Sequence, residues 1–129
     1  MSNLEIFIQA YLECALWATH SSFMDDSGND LPLDTFYSVN CVAGSAREQV
    51  ESECDDFLKR EDVSPITEKW GKEEYQRAGH NFFLTRNHHG AGFWDGDWPE
   101  PDGDILTKAA HEAGSSEPYV GDDGGIYFS

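Results

Sequence analysis

Between Ile6 and Ala18 only Gln9 and Glu13 interrupt an otherwise apolar run. With Glu5 they recur at i, i+4 and i+8, which is one narrow polar stripe on a helix. The pattern predicts a helix over residues 4–19, apolar around the rest of its circumference through Phe7, Ile8, Tyr11, Leu12, Leu16 and Trp17. A helix so nearly surrounded belongs at the centre of a core. Residues 25–35 (DDSGNDLPLDT) are turn-rich and predict a loop. Residues 36–42 fit either a short strand or an ordered turn. Ser45 with Glu48 three residues on forms a capping box. It opens a helix running to about Asp62, with Val50, Cys54, Phe57 and Leu58 along one face. Ser64-Pro65 then reads as N-cap and first helical position of a third helix. That helix should run to about Ala78, with Gly79 as its stop.

Past Gly79 the periodicity changes. Residues 81–86 and 92–94 predict strands on either side of an Asn87-His88-His89-Gly90 turn. Asp104 caps a short helix through Leu106, Ala109, Ala110 and Ala113, stopped by Gly114. Residues 118–120 and 126–128 flank Gly121-Asp122-Asp123-Gly124-Gly125, a second hairpin signal. The predicted class is α+β: N-terminal helices packed on a small antiparallel sheet with one inserted helix. One domain spans 1–129, helical over about 1–79 and sheet-containing over about 80–129.

Charge narrows the partners. Twenty-five Asp and Glu against eight Lys and Arg leave a net charge of −17. Both halves of the chain are acidic, so this is not an acidic tail on a neutral body. The charge argues against direct binding to nucleic acid, because that contact depends on Lys and Arg neutralising phosphates. An anionic membrane surface is disfavoured for the same reason, and no run reaches the ~18 apolar residues of a spanning helix. The opening Met1-Ser-Asn-Leu-Glu lacks the basic stretch and cleavage site of a signal peptide. Cys14, Cys41 and Cys54, with no CxxC spacing, read as reduced and mostly buried thiols of a cytosolic protein.

Few constellations carry chemistry. His80, His88, His89 and Asp95 are of metal-ligand type, and the predicted hairpin could gather them around one ion or small ligand. Their spacing matches no standard zinc pattern, and adjacent histidines in a strand face opposite ways. The plain alternative is a turn with one histidine exposed and the other packed. Asp95-Gly-Asp97 and Asp102-Gly-Asp104 resemble a calcium loop, but the sixth and twelfth positions from Asp95 hold Glu100 and Leu106 instead of Gly and Glu. No GxSxG motif occurs, and Gly90-Ala-Gly92 is too short for a nucleotide fingerprint. No cofactor and no catalytic residue is expected, which points away from an enzyme. Trp98, between Asp97 and Glu100, either packs on the sheet or anchors a protein interface.

The stretch RAGHNFFLTRNHHGAGFWDGDWPEPDGDILTKAAH, followed by YVGDDGGIY, resembles a family of small proteins found in bacteriophage, prophage and plasmid genomes. The LTRNHHGAGFWD run is its most specific part, and YLECALW fits more loosely. The resemblance implies a mobile-element origin and a location in the cytoplasm of a bacterial host cell. With the charge, it suggests a role. Glu48, Glu51, Asp55 and Asp56 on one helix, and Asp95, Asp97, Asp102 and Asp104 in the acidic loop, could stand in for DNA phosphates. They would then bind the basic surface of a nucleic-acid-binding host defence protein and inhibit it. A metal- or ligand-binding protein or enzyme built on His88, His89 and Asp95 is the alternative. A structural adaptor is a further one.

Overall fold

The computed structural model describes residues 1–24 and 27–129. It is α+β: five helices and two separate two-stranded antiparallel ribbons. Helix α1 (Asn3–Ala18) starts at Ser2, whose hydroxyl accepts the Glu5 amide hydrogen at 3.1 Å. It buries Phe7, Ile8, Ala10, Tyr11, Leu12, Cys14, Ala15 and Leu16, and so forms the central element its pattern predicts. The polar stripe of Glu5, Gln9 and Glu13 extends one step further than expected. Trp17 continues it at i+4 and is 56% exposed, although the sequence pattern groups it with the core side chains.

Strand β1 (His20–Met24) pairs with β2 (Asp30–Pro32), and residues 33–35 and 39–41 are single 3₁₀ turns. The loop expected over 25–35 is therefore partly a strand, while Asp25 and Asp26 lie outside the described residues. The 36–42 segment is an ordered turn. Its last residue, Val42, makes a parallel bridge to Ile126.

That bridge also decides where α2 (Gly44–Lys59) begins. Ala43, whose amide donates to the Ile126 carbonyl at 2.9 Å, sits at the N-cap. Ser45 lies inside the first turn and caps nothing, so the predicted capping box is absent. Of the expected apolar face, Val50, Cys54 and Phe57 are buried and Leu58 is half-buried, with Ala46 joining the buried side.

The third helix is a single turn, α3 (Ser64–Thr67), with Val63 instead of Ser64 at its N-cap. The chain then breaks and restarts as α4 (Lys72–Arg86), where the Glu74 carboxylate accepts the Gly71 amide hydrogen at 3.0 Å. Gly79 does not stop a helix; it lies in the middle of α4. There α1 crosses so closely that a β-carbon on Gly79 would overlap the Phe7 carbonyl oxygen and stand 3.1 Å from Ala10 Cβ. The expected division near residue 79 therefore follows no element boundary.

Residues 81–86 are helical, and all six are buried between α1, α2 and the last helix, α5 (Asp102–Glu112). Asn81, Thr85 and Arg86 are buried along with Phe82, Phe83 and Leu84, so burial over this run has no period to tell strand from helix, and here the environment selects helix. The strand pair expected around residues 87–90 does not form. At the centre, Phe57 stacks on Phe82 at 4.2 Å, and Tyr11 meets Phe83 edge-on at 5.5 Å. The last hairpin, β3 (Pro118–Val120) and β4 (Ile126–Phe128), forms where expected around residues 121–125, with Tyr119 opposite Tyr127.

Candidate functional site

The run Leu84-Thr85-Arg86-Asn87-His88-His89 is the end of α4. The His88 amide donates to the Thr85 carbonyl at 3.1 Å and the His89 amide to Leu84 at 2.9 Å, the paired bonds of a Schellman stop. The left-handed position that glycine usually fills is held by His88, at φ 58°. Asn87 clamps the neighbouring segment, its amide nitrogen donating to the Ser116 carbonyl at 3.1 Å and its oxygen accepting the Ser116 amide at 2.7 Å. Gly92 then passes against α4 at φ 154°, where a β-carbon would overlap the Thr85 hydroxyl. That hydroxyl accepts the Phe93 amide at 3.0 Å.

Arg86 is the hub of this region and is 3% exposed. Nε donates to the Gly114 carbonyl at 2.7 Å, and one Nη to the Ala113 carbonyl at 3.2 Å, so a cation closes the negative end of α5. The other Nη reaches the Tyr11 hydroxyl at 3.2 Å and the Glu53 carboxylate at 2.5 Å. Burial works against the charge, but Tyr11 and Glu53 outweigh it and hold the guanidinium pKa above its ordinary value. Burial also raises the Tyr11 hydroxyl. The arrangement ties α1, α2, α4 and α5 together and leaves no group free to react. Sequence reasoning placed Arg86 at the end of a strand and missed its role; an arginine two residues past the apolar Phe82-Phe83-Leu84 triplet was the only local signal.

The predicted ligand residues do not converge. His80 lines a cleft beside Glu13, and its ring lies 5.6 Å from Trp17. Burial lowers the His80 pKa, and the Glu13 charge opposes that. His88 turns towards α5 and stacks on His111 at 4.6 Å. His89 lines a second cleft and lies 3.5 Å from Glu117. Asp95 bonds its own turn, accepting the Gly92 amide at 3.3 Å and the Asp97 amide at 3.4 Å. Among the described residues, no three His, Cys, Asp or Glu are grouped to hold a metal.

The acidic residues are on the surface, in two places. Glu48, Glu51 and Asp56 are exposed on the outer face of α2. Asp55, half-buried, is paired with Lys59 at 2.7 Å. Asp95, Asp97 and Asp104 are exposed near the start of α5, while Asp102 is taken by Lys69 at 2.9 Å. Crowding shows there: the Glu100 carboxyl is raised by loss of water, then by the neighbouring Asp104, with Asp102 adding. Arg60, at the end of α2, reaches Glu112 at the far end of α5 and ties the two acidic helices together.

Trp98 is not a surface anchor. It is 6% exposed, packs at 5.1 Å from Trp70 and 5.6 Å from Phe93, and carries the Arg77 guanidinium over its ring at 5.1 Å. The exposed indoles are Trp17 and Trp94. No helix among the described residues is long and apolar enough to cross a membrane.

Comparison with protein-family models, curated proteins and solved structures finds no match to this chain.

Proposed function

We propose that this protein binds the basic surface of a nucleic-acid-binding protein and competes there with nucleic acid. The observation that carries the reading is how little of the acidic surface is compensated. Among the described residues, four of the eight cations (Lys59, Arg60, Lys69 and Arg86) are held in ion pairs, and Arg77 lies on Trp98. Glu48, Glu51, Asp56, Asp95, Asp97 and Asp104 remain exposed, and no cation among the described residues is paired with them. Like-charge crowding of this kind opposes folding. A basic partner relieves it, and a negative field also steers that partner in quickly. The resemblance of residues 77–127 to phage, prophage and plasmid proteins supports a role as a mobile-element accessory protein. On that reading the partner is a defence protein in the host cytoplasm, and the mechanism is mimicry of DNA charge.

The test is competition. A partner captured from host extract on the immobilised protein should be released by duplex DNA and by rising salt. The triple variant Glu48→Lys, Glu51→Lys, Asp56→Lys should capture it far less. Capture that is indifferent to salt, to duplex DNA and to charge reversal overturns the proposal.

A further inference from the structure

One cleft carries chemistry that the acidic surface as a whole does not. It lies between α1, the turns at 33–39 and the middle of α4, and encloses about 440 Å³. That is within the range of small-ligand sites, about 300–1,000 Å³. Its walls combine three rings (Trp17, Tyr37 and His80) with two carboxylates (Glu13 and Asp34), over a floor that includes Leu16 and Val39. No Lys or Arg among the described residues lines it.

Its components point to one class of ligand. Aromatic faces beside carboxylates bind cations, through the ring quadrupole and through charge-assisted hydrogen bonds. An anion would meet two carboxylates in a protein of net charge −17. Asp34 is exposed and in none of the ion pairs among the described residues, so its carboxylate is available to a ligand. Among the described residues, Glu13 accepts the side-chain amide of Gln9 at 2.9 Å through one oxygen, and no donor to its other oxygen is found. Trp17 is the last member of the polar stripe of α1, and its large exposed area is otherwise unexplained. A planar guanidinium can lie on an indole and still offer a fork of donors to a carboxylate, whereas an ammonium is more strongly hydrated and stacks on nothing.

We propose that this cleft is a guanidinium-binding site in which Trp17 and Tyr37 provide the stacking faces and Glu13 and Asp34 the charge. The proposal rests on the reading above only for the source of the guanidinium, which is an arginine side chain of the basic partner. The cleft itself can be tested with no partner present.

The experiment is an NMR titration of the intact protein. N-acetyl-arginine methylamide represents arginine within a chain, agmatine a free guanidine, and N-acetyl-lysine methylamide the competing cation. Saturable shifts at the Trp17 indole and the amides of Glu13, Asp34, Tyr37 and His80 are expected, with a Kd on the order of millimolar for a single exposed group. Asp34→Asn and Trp17→Ala should each weaken binding about two- to fivefold, the yield of one exposed ion pair or cation–π contact. The double variant Glu61→Gln, Glu68→Gln lowers the charge at exposed positions outside the cleft and should bind as the parent does. Spectra of the free variants report whether each is folded.

Tighter binding of the blocked arginine supports a protein-borne ligand, and tighter binding of agmatine a small-molecule one; either supports the site. Shifts that rise linearly without saturation overturn it, as does equal binding of the lysine compound or binding unchanged in both cleft variants. Such a failure leaves the competition experiment untouched, and a failed capture leaves the titration untouched.

Discussion

Replacing Gly79 by Ala sets two effects of known size against each other. Within a helix the change removes backbone freedom from the unfolded chain and should stabilise by about 1 kcal/mol. At this position the new methyl has nowhere to go. It would overlap the Phe7 carbonyl oxygen and press on Ala10 Cβ at 3.1 Å, and the first of these is backbone of a fully buried residue. Restoring contact requires α1 and α4 to separate by roughly an ångström, across the most extensive helix packing in the molecule. Overpacking of this kind costs about 1–3 kcal/mol, and an obstruction that cannot rotate away belongs in the upper half of that range. The net expectation is a loss of about 1–2 kcal/mol. For a chain of 129 residues that is a fall in Tm of about 3–10 °C. Thermal unfolding followed by circular dichroism measures it, with urea unfolding at unchanged slope to show that the transition stays two-state. Gly44→Ala, at the start of α2 with nothing within 4 Å of the added carbon, is the control and should lose no stability. A Gly79→Ala protein as stable as the parent would refute the close crossing.

The remaining expectations concern the end of α4 and the thiols. Arg86→Met strands the Ala113 and Gly114 carbonyls, the Tyr11 hydroxyl and the Glu53 carboxylate. It should cost about 3 kcal/mol in urea unfolding, the low end for a broken buried pair because Glu53 is 31% exposed and can rehydrate. Arg86→Lys keeps the charge without the fork and should recover about half of that loss; a Met variant within 1 kcal/mol of the parent would count against the hub. His88→Gly relieves a left-handed backbone at the cost of an exposed stack on His111, so a net gain of about 0.5–1 kcal/mol is expected, and a loss would contradict the Schellman stop. Burial pushes the Cys14 thiol up to about 12 and raises Cys54 as well, whereas Cys41 is only half-buried. Ellman's reagent at pH 8 should therefore find one fast thiol in the native protein and all three after unfolding. Three fast thiols in the native state would contradict the burial of α1 and α2.

Elements whose residues carry their own signal were readable from the chain. The encircled apolar pattern of α1, the Val50-Cys54-Phe57 face of α2 and the glycine-rich turn between β3 and β4 depend on local spacing, and each stands close to its expected place. The errors cluster where a local signal met a stronger tertiary demand. Ser45 and Glu48 satisfy the spacing of a capping box, but the bond from Ala43 to Ile126, some eighty residues away, starts the helix two positions earlier. Gly79 has the composition of a helix stop and the role of a contact point. The run at 81–86 is buried on every side, so it shows no period at all.

The candidate site divides in the same way. Net charge and the exposure of Glu48, Glu51 and Asp56 follow from composition and helical spacing, because a polar face on an amphipathic helix can only point outward. That the three histidines turn to different surroundings could not be read from the chain. It depends on the helix continuing through His80 to Arg86, and on the backbone turn at His88 that ends it where the residue types suggest a hairpin. The charge of this protein and its central helix were therefore determined by the sequence alone, since both are sums or periods over neighbouring residues. The hub at Arg86, the burial of Trp98 and the ring-and-carboxylate cleft at Trp17 were decided only by the tertiary structure. Each is made by residues far apart in the chain, and no spacing rule reaches across that distance.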